Sequence, residues 1–432
     1  MSGPLYLGLD LGTSGVRSSV VDETGLEVSS AQIRFTAPSG PVSDADIWWD
    51  TASACLDAQM QALRDKGLSP GAIASMAIDG TSGSMVLVDE QVRPVTPALM
   101  YHSAGFDAEA AAIARVAEPR SITRGSNSAL ARLLRLQSLD ADRRARFLCH
   151  QADFIMAKLS GEPGISDDNN SLKTGFDPEA NGWPDWLTDA GVNLSLLPRV
   201  VRVGTALAGA NASNQTRFGF SSSMIIRAGT TDSIAAFLAS GANEIGDAVT
   251  SLGTTLVIKL LSRHRIDDQS RGLYSHRIGD RWLVGGASNS GGGVLLDFFT
   301  VTELESLSSR INPAKETGLD YYPLPRPGER FPVNDPGLMP RLVPRPADDA
   351  LFLQGLLEGM ARIEASAYRA LADLGAPTPN RIYTAGGGSR NPVWTAIRRR
   401  VVSPRIFEAQ SSDAAYGAAL LSLSASGEFP LV

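Results

Sequence analysis

The sequence predicts an α/β protein with two related halves. Its 432 residues correspond to about three domains of average length, or to two larger ones. Strand-like apolar runs alternate with segments of helical spacing along most of the chain. A short polar turn, Gly-Thr followed by Ser or Thr, occurs at 12–14, 80–82 and 253–255, each time between apolar runs. The three turns are too irregularly spaced for a periodic repeat, but they indicate two halves that each present a polar hairpin.

Composition and charge exclude several classes of protein. Hydrophobic residues make up 43% and charged residues 20%, which is ordinary for a globular protein. The net charge of −7 is opposite to that of a polyanion-binding surface, so we expect no nucleic-acid partner. No apolar window is long enough to cross a bilayer, so we expect no membrane partner. Two cysteines, four scattered histidines and an N-terminus without targeting features predict a cytoplasmic protein without a disulfide framework or a metal cluster.

The N-terminal region reads as two strand–turn–strand units separated by a helix. The first unit covers 5–22, with the turn Gly12-Thr13-Ser14 at its centre. Apolar residues at helical spacing predict a helix between 44 and 67, where Gly67 is a plausible stop. A buried strand at 73–78 then runs into the polar loop 79–84 and a second strand at 85–89.

The middle of the chain is mixed. We expect helices at 107–117, 128–139 and 147–159, the last closed by Gly161. The stretch 162–185 is polar and turn-rich, and it predicts a long loop of the kind that is functional or disordered. Asn169, Asn170 and Lys173 are candidates for contacts with sugar hydroxyls from this loop, although such loops are often simply polar.

The C-terminal half repeats the strand–turn theme. Strands are expected at 225–232 and 250–260, the second around the turn Gly253-Thr254-Thr255. Dense prolines predict an irregular connection at 323–346, followed by a long helix at 351–374. A strand at 382–385 enters Gly386-Gly387-Gly388, and helices follow at 392–402 and 413–424.

The glycine-rich turns are candidates for phosphate binding. The chain has neither Gly-x-x-x-x-Gly-Lys-[Ser/Thr] nor a Gly-x-Gly-x-x-Gly after a strand, which argues against a P-loop and a Rossmann site. Glycine lets the backbone approach an anion closely, and the hydroxyls of Thr13, Ser14, Thr254 and Thr255 would donate to phosphate oxygens. The alternative is that these segments are ordinary turns.

Three acids follow strands at matching positions: Asp10, Asp79 and Asp232. An acid at a strand end beside a glycine loop is poorly placed for a core and well placed for a binding site. One such acid could hold Mg²⁺ through water, and another could accept a proton from a substrate hydroxyl. The alternative is turn formation, which Asp also favours.

These motifs, in this order, resemble the FGGY carbohydrate kinases. The resemblance rests on five segments, and the first is similar to the first phosphate motif of the actin-like ATPases. They are Leu9-Asp10-Leu11-Gly12-Thr13-Ser14-Gly15, Ala228-Gly229-Thr230-Thr231-Asp232, Ser251-Leu252-Gly253-Thr254-Thr255, the run 386–394 and the run 413–421. The resemblance implies an α/β fold of two actin-like (ribonuclease H-like) domains with an interdomain cleft. The expected domains are 1–240 and 241–432, with the final helix, 413–432, packing back on the first.

The resemblance also implies roles for individual residues and the substrates ATP and Mg²⁺. It assigns catalysis to Asp232 as the base that accepts the sugar proton, to Asp10, which organises Mg²⁺ through water, and to Thr13. The residues it places against the nucleotide and its phosphates are Thr13, Ser14, Gly253, Thr254, Thr255, Gly291, Gly292, Gly387, Gly388, Asn391 and Trp394.

Two departures from the family bear on the sugar. The chain has Asp79-Gly80-Thr81-Ser82-Gly83 where xylulose kinases carry Gly-Gln-Met-His-Gly, and Tyr101-His102-Ser103-Ala104-Gly105 where the family commonly shows aromatic-x-Asp-x-Arg. We therefore expect Ser82, Tyr101 and His102 to bind the sugar together with Asp10 and Asp232.

The short length and the Asp-Gly-Thr-Ser loop resemble the plant and cyanobacterial D-ribulose kinases. The sequence therefore predicts phosphorylation of a free ketopentose, with D-ribulose as the first candidate, by a monomer or homodimer. Three alternatives stay open: a D-xylulose kinase, an actin-like ATPase, and a sugar-sensing protein with a decayed site.

Overall fold

The computed structural model describes residues 3–35, 44–119, 121–403 and 405–424. The chain divides into two compact units. Unit 1 comprises the chain up to Ala239, the short stretch Arg277–Gly279 and the chain from Asp413 onwards; unit 2 comprises Ser240–His276 and Asp280–Ser412. Within the described ranges, the structure contains no helix long and apolar enough to cross a membrane.

A five-stranded sheet with the order β3-β2-β1-β4-β9 forms the centre of unit 1. Two short two-stranded sheets, β5-β6 and β7-β8, accompany it. The strands are β1 (Leu5–Leu11), β2 (Gly15–Val21), β3 (Glu27–Arg34), β4 (Ile73–Gly80), β5 (Met85–Val88), β6 (Phe147–His150), β7 (Ile165–Asp167), β8 (Arg199–Val201) and β9 (Ile225–Thr231). The helices of this part of the chain are α1 (Asp46–Asp65), α2 (Asp107–Val116), α3 (Ala129–Leu139), α4 (Gln151–Ser160), α5 (Asp168–Leu172), α6 (Trp186–Asp189), α7 (Ala212–Phe218) and α8 (Asp232–Leu238).

A six-stranded sheet with the order β12-β13-β11-β10-β14-β15 forms the centre of unit 2. Its strands are β10 (Asp247–Leu252), β11 (Leu256–Ser262), β12 (Tyr274–Ile278), β13 (Arg281–Ser288), β14 (Arg381–Ala385) and β15 (Ile406–Glu408). The helices that follow α8 are α9 (Gly292–Leu296), α10 (Val301–Ser308), α11 (Asp349–Asp373), α12 (Pro392–Val401) and, returning to unit 1, α13 (Ala414–Leu423).

The two sheets share one topology. In unit 1, β1 pairs with β2 in antiparallel and with β4 in parallel orientation; in unit 2, β10 has the same relations to β11 and β14. The carboxyl ends of parallel strands meet at one edge of a sheet, so the turns after β1 and β4 lie at one edge of unit 1. The turns after β10 and β14 likewise lie at one edge of unit 2.

Helix α13 lies directly against β1. A Cβ atom on Gly8 would be 2.0 Å from the carbonyl oxygen of Ala415, so only glycine permits this approach. The Ser75 hydroxyl at β4 donates to the carbonyl of Ser422 at 2.7 Å. The last residues of the helix expected at 413–432, namely 425–432, lie outside the described residues.

The structure corrects two expectations about the middle of the chain. The expected helix at 147–159 begins only at Gln151, because Phe147–His150 forms β6 and pairs with β5; a short apolar run does not distinguish strand from helix. The expected polar loop at 162–185 contains strand β7 and helix α5, and every residue of α5 is buried. Polar side chains in this segment therefore belong to the interior of unit 1.

Candidate active site

The predicted acids gather at the carboxyl edge of the unit 1 sheet. Asp10 on β1 and Asp79 on β4 are paired in the parallel register, and Asp79 is paired with Thr230 on β9. Asp232 begins α8 immediately after β9. The sequence motif alone predicted that these acids follow strands, and the sheet order brings them side by side.

Burial separates the roles of Asp10 and Asp79. Burial raises the pKa of Asp10 to about 6, and the charges of Asp232 and Asp413 add to the shift, while Arg17 at 3.9 Å opposes it. Asp79 is completely buried, and this burial, with the neighbouring Asp10 carboxylate, raises its pKa well above the ordinary value. Asp10 is therefore the more readily ionised member of the pair.

Asp232 is positioned by the start of α8. Its Oδ1 accepts the backbone N–H of Ser233 at 2.6 Å, and its side chain is half-buried, in contrast to Asp79. A half-buried carboxylate can reach a substrate hydroxyl and still be shielded on its inner side, which suits a general base.

The first glycine turn is held by its backbone. The N–H of Gly12 donates to the carbonyl of Gly15 at 3.0 Å, and the N–H of Phe35 donates to the carbonyl of Ser14 at 3.0 Å. Thr13 and Ser14 are exposed at the tip of the turn. The turn thus presents two hydroxyls beside Asp10 without using them for its own structure.

In unit 2, the predicted glycine loops contact each other. The N–H of Gly292 donates to the carbonyl of Gly253 at 2.8 Å, and the N–H of Gly293 donates to that of Thr254 at 3.0 Å. Gly291 has a φ of +150°, and a Cβ there would lie 2.6 Å from the Thr254 carbonyl oxygen. The loop that contains Gly291 and Gly292 therefore braces the turn after β10, on which Thr254 is exposed and Thr255 half-buried.

A glutamate that sequence reasoning missed anchors this brace. Glu329 is buried, and it accepts the Ser288 hydroxyl at 2.6 Å, the Asn289 N–H at 2.7 Å and the Tyr322 hydroxyl at 3.0 Å. It lies in the proline-rich connection, which the sequence describes only as irregular. A buried glutamate needs hydrogen-bond partners, and the sequence alone does not show which loop provides them.

The third glycine loop follows β14 and ends at Asn391, which caps α12. Its Oδ1 accepts the N–H groups of Val393 and Trp394 at 3.0 and 3.1 Å, and its Nδ2 donates to Ser308 at 3.0 Å. Apart from the two chain neighbours of Gly387, no described residue has a heavy atom within 4 Å of a Cβ built there, so this part of the loop borders open space. Asn391 therefore shapes the loop, and Gly387 leaves room beside it.

The burial of Trp394 contradicts the expectation that its side chain lies against the nucleotide. Its side chain is 2% exposed and belongs to the core of unit 2. A Cβ on Gly388 would lie 2.5 Å from the indole ring, which shows that the ring supports the glycine loop from inside. The sequence could not show this, because the face of α12 that is buried depends on the rest of the fold.

A buried ion pair lies behind strands β10 and β14. Arg398 donates to both oxygens of Glu364 at 2.6 and 2.7 Å, and to the hydroxyl of Thr384 on β14 at 2.6 Å. Thr250 on β10 donates to Glu364 at 2.6 Å. One ion pair thus ties together the strands that end in the turn 253–255 and in the loop 386–391.

The predicted sugar residues lie around the loop after β4. The Thr81 and Ser84 hydroxyls are 2.6 Å apart, and the N–H of Tyr101 donates to Ser84 at 3.0 Å. The rings of Tyr101 and His102 are 5.1 Å apart, and both residues are exposed. Ser82 is half-buried, and its hydroxyl has no hydrogen-bond partner in the described part of the chain.

Arg132, which sequence reasoning did not identify, holds this loop against the Tyr101 segment. Its buried guanidinium donates from Nε to the carbonyl of Gly83 and from Nη1 to those of Tyr101 and Asn127, each at 2.9 Å. Burial lowers the pKa of Arg132 to about 10. The arginine fixes the spacing of two loops through their backbones, a contact that leaves no local sequence signal.

Comparisons with known proteins identify the family of the chain. Models of the FGGY family of carbohydrate kinases match the chain twice, the N-terminal domain over residues 5–239 and the C-terminal domain over 248–426. A xylulose kinase from Streptomyces rubiginosus is 27% identical over 450 residues, covering 96% of this chain and 88% of the relative. One from Escherichia coli is 25% identical over 411 residues, covering 90% and 83%.

Among solved structures, the xylulose kinase from Rhodospirillum rubrum has a similar fold, with a TM-score of 0.82 at 22% identity over 96% of this chain and 89% of that one. The two family matches and this similarity confirm the expectation of two α/β domains of the actin-like, ribonuclease H-like kind.

Proposed function

Because the chain belongs to the FGGY family of carbohydrate kinases and is a sugar kinase, we propose that it transfers the γ-phosphoryl group of ATP to a hydroxyl of a free ketopentose. The observation that carries the proposal is the carboxyl edge of the unit 1 sheet, where Asp10 lies near the end of β1, beside the Gly12–Ser14 turn, and the half-buried Asp232 directly follows β9. Phosphoryl transfer needs alignment, charge neutralisation and a base rather than covalent catalysis.

Each group at this edge has a defined part in the proposed reaction. Asp232 accepts the proton of the attacking sugar hydroxyl, the new bond forms between that oxygen and the γ-phosphorus, and the bond from phosphorus to ADP breaks. Thr13 and Ser14 donate hydroxyl hydrogen bonds to phosphate oxygens. The backbone loops of unit 2, at 253–255, 291–292 and 387–388, bind the remaining phosphates and the nucleoside.

The residues present fit Mg²⁺ that arrives with ATP. The described residues contain no group of three or more His, Cys, Asp or Glu side chains that could hold a metal on their own. Magnesium usually keeps several waters and binds one or two carboxylates plus substrate phosphates, and Asp10 supplies such a carboxylate. When bound, Mg²⁺ would neutralise charge on the phosphates.

The comparisons favour D-xylulose as the ketopentose over D-ribulose, which the sequence had put first. The curated relatives described above are xylulose kinases. D-Ribulose remains a second candidate because of one feature, the loop Asp79-Gly80-Thr81-Ser82, which resembles that of D-ribulose kinases.

A coupled assay of ADP release tests both candidates. D-Xylulose, D-ribulose, their L-isomers, glycerol and gluconate are supplied singly with ATP and Mg²⁺, and we expect the highest kcat/KM with D-xylulose. A higher kcat/KM with D-ribulose would make D-ribulose the first candidate. ATP turnover that no sugar stimulates would contradict the proposal in favour of an ATPase, and no turnover at all would favour a sugar-sensing protein.

A further inference from the structure

Three buried amide side chains in unit 1 have one end bound to the protein and the other end without a partner. The Oε1 of Gln151 accepts the N–H and the hydroxyl of Thr81 at 3.0 and 2.7 Å. The Nδ2 of Asn169 donates to the Thr230 hydroxyl at 3.0 Å, and the Nδ2 of Asn170 donates to the Thr230 carbonyl at 3.1 Å. Gln151 Nε2, Asn169 Oδ1 and Asn170 Oδ1 form no hydrogen bond with any residue that the structure describes.

All three amides are anchored at the carboxyl edge that carries the acids. Thr81 directly follows β4, and Thr230, near the end of β9, is the register partner of Asp79. The Ser82 hydroxyl, also without a partner among the described residues, belongs to the same loop as Thr81. The three amides and Ser82 therefore belong to the edge at which the proposed reaction occurs.

Such atoms are costly in a folded interior. Buried polar side-chain atoms are normally paired, and an unpaired one loses its hydration without compensation. Gln59, a buried amide elsewhere in unit 1, follows the rule: it accepts from Ser18 and donates to Ser29, both at 2.8 Å. Gln59 thus has both ends of its amide paired, whereas each amide at the carboxyl edge has only one end paired within the described residues.

The chemistry of the unpartnered atoms defines what would satisfy them. Gln151 offers an N–H donor, whereas Asn169 and Asn170 offer carbonyl acceptors, and none carries a charge. A molecule with several adjacent hydroxyls matches this set, because each hydroxyl both donates and accepts. The atoms are shielded from bulk water, as phosphoryl transfer to a sugar rather than to water requires.

We propose that Gln151, Asn169 and Asn170 are the residues that recognise the sugar hydroxyls and thereby select the hydroxyl presented to Asp232. Gln151 donates to one sugar oxygen, and the two asparagines accept from neighbouring hydroxyls. The inference rests on the proposed function and adds to it the residues that determine sugar specificity.

The assignment is tested by a thermodynamic cycle that removes the amide from the protein, the hydroxyl from the sugar, or both. Calorimetry measures binding of D-xylulose, and in parallel of D-ribulose, with their monodeoxy analogues to the wild type, to Gln151→Met and to the control Gln59→Met. The control breaks two hydrogen bonds of an equally buried amide. We expect Gln151→Met to weaken the ketopentose by about 2- to 10-fold. One deoxy analogue should bind wild type and variant alike, because the partner hydroxyl is already missing. Gln59→Met should lower only the Tm.

Asn169→Ser provides a second, independent cycle should Gln151→Met fail to fold. It removes the Asn169 acceptor instead of the Gln151 donor, so a different deoxy analogue should become insensitive to the substitution. The inference is overturned if a substitution weakens the binding of every analogue equally, or if neither variant changes sugar affinity. The amides would then bind internal water or support the fold.

The design separates this inference from the function on which it rests. Binding is measured without turnover, so a wild type that binds the ketopentose without phosphorylating it contradicts the proposed function and still tests the amides. If the wild type phosphorylates the sugar, but each substitution weakens the binding of all the analogues equally, only the amide assignment is contradicted. A wild type that binds no ketopentose overturns both.

Discussion

The carboxyl edges of the two sheets differ in their chemical groups, although the sheets share one topology. In unit 1, the edge consists of side chains: the acids Asp10 and Asp232 and the amides of Gln151 and Asn169. In unit 2, the edge consists of glycine backbone, and polar side chains such as Glu329 are bound behind it. Sugars with many hydroxyls require several side-chain donors and acceptors, whereas phosphates are well served by backbone N–H groups.

The contrast also concerns how each unit responds to substitution. Unit 1 carries polar groups that the fold itself leaves unsatisfied, so a change there should affect chemistry or sugar binding first. In unit 2, Glu329, Glu364 and Arg398 are engaged by the fold, so a change at these residues should affect stability first and nucleotide binding through it. The following substitutions test this division.

The largest effect is expected from Asp232→Ala. Loss of a general base typically lowers the rate by about 10²–10⁴-fold, and because Asp232 is only half-buried, the Tm should change little. Measurements of kcat and of the melting temperature check the prediction. The matched control is Asp413→Asn, which removes another charge felt by Asp10 but keeps an oxygen to cap α13. A near-native kcat for Asp232→Ala would contradict the base assignment.

Asp10→Asn should abolish both sugar phosphorylation and any background ATP hydrolysis. Charge neutralisation at the phosphates serves whichever nucleophile attacks, so both rates should fall by about 100-fold or more. Parallel assays with and without sugar, each over a Mg²⁺ titration, provide the measurement. Loss of the sugar reaction alone would mean that Asp10 contacts the sugar and not the metal.

In unit 2, Arg398→Met should act mainly on stability. It leaves Glu364 buried without its partner, which typically costs about 3–5 kcal/mol. Urea denaturation measures the loss, and the double substitution Arg398→Met/Glu364→Leu should recover much of it because no unpaired charge remains. At temperatures where the variant is folded, KM for ATP should rise more than KM for the sugar, since the pair ties β10 to β14. A larger rise in KM for the sugar than in KM for ATP would contradict the proposed difference between the units.

The sequence predicted the parts of the site that are local in the chain. Asp10 and the Gly12–Ser14 turn lie within five residues of one another, so their motif could be recognised directly. Gln151 and Arg132 escaped notice because their roles depend on contacts with loops 70 and 49 residues away. Asn169 and Asn170 were named as loop residues, but the structure places them on a buried helix. Trp394 was misjudged because a motif does not show which face of a helix is buried.

The smallest expected effect concerns two serines of a single loop. The Ser82 hydroxyl has no partner within the described residues, whereas the Ser84 hydroxyl contacts Thr81 at 2.6 Å and accepts the Tyr101 N–H at 3.0 Å. A hydrogen bond to a sugar hydroxyl contributes about 0.5–1.5 kcal/mol net, so Ser82→Ala should raise KM for the ketopentose several-fold and leave KM for ATP and the Tm unchanged.

Ser84→Ala, its matched control, should lower the Tm and disturb sugar binding only through the loop. Two substitutions of the same size, two residues apart, should thus give opposite signatures, because one hydroxyl is used by the fold and the other is left for the substrate. If Ser82→Ala lowers the Tm as Ser84→Ala does, or weakens ATP more than the sugar, then the unpartnered hydroxyl is not a sugar contact. The distinction between the two units would then have to rest on the acids and amides alone.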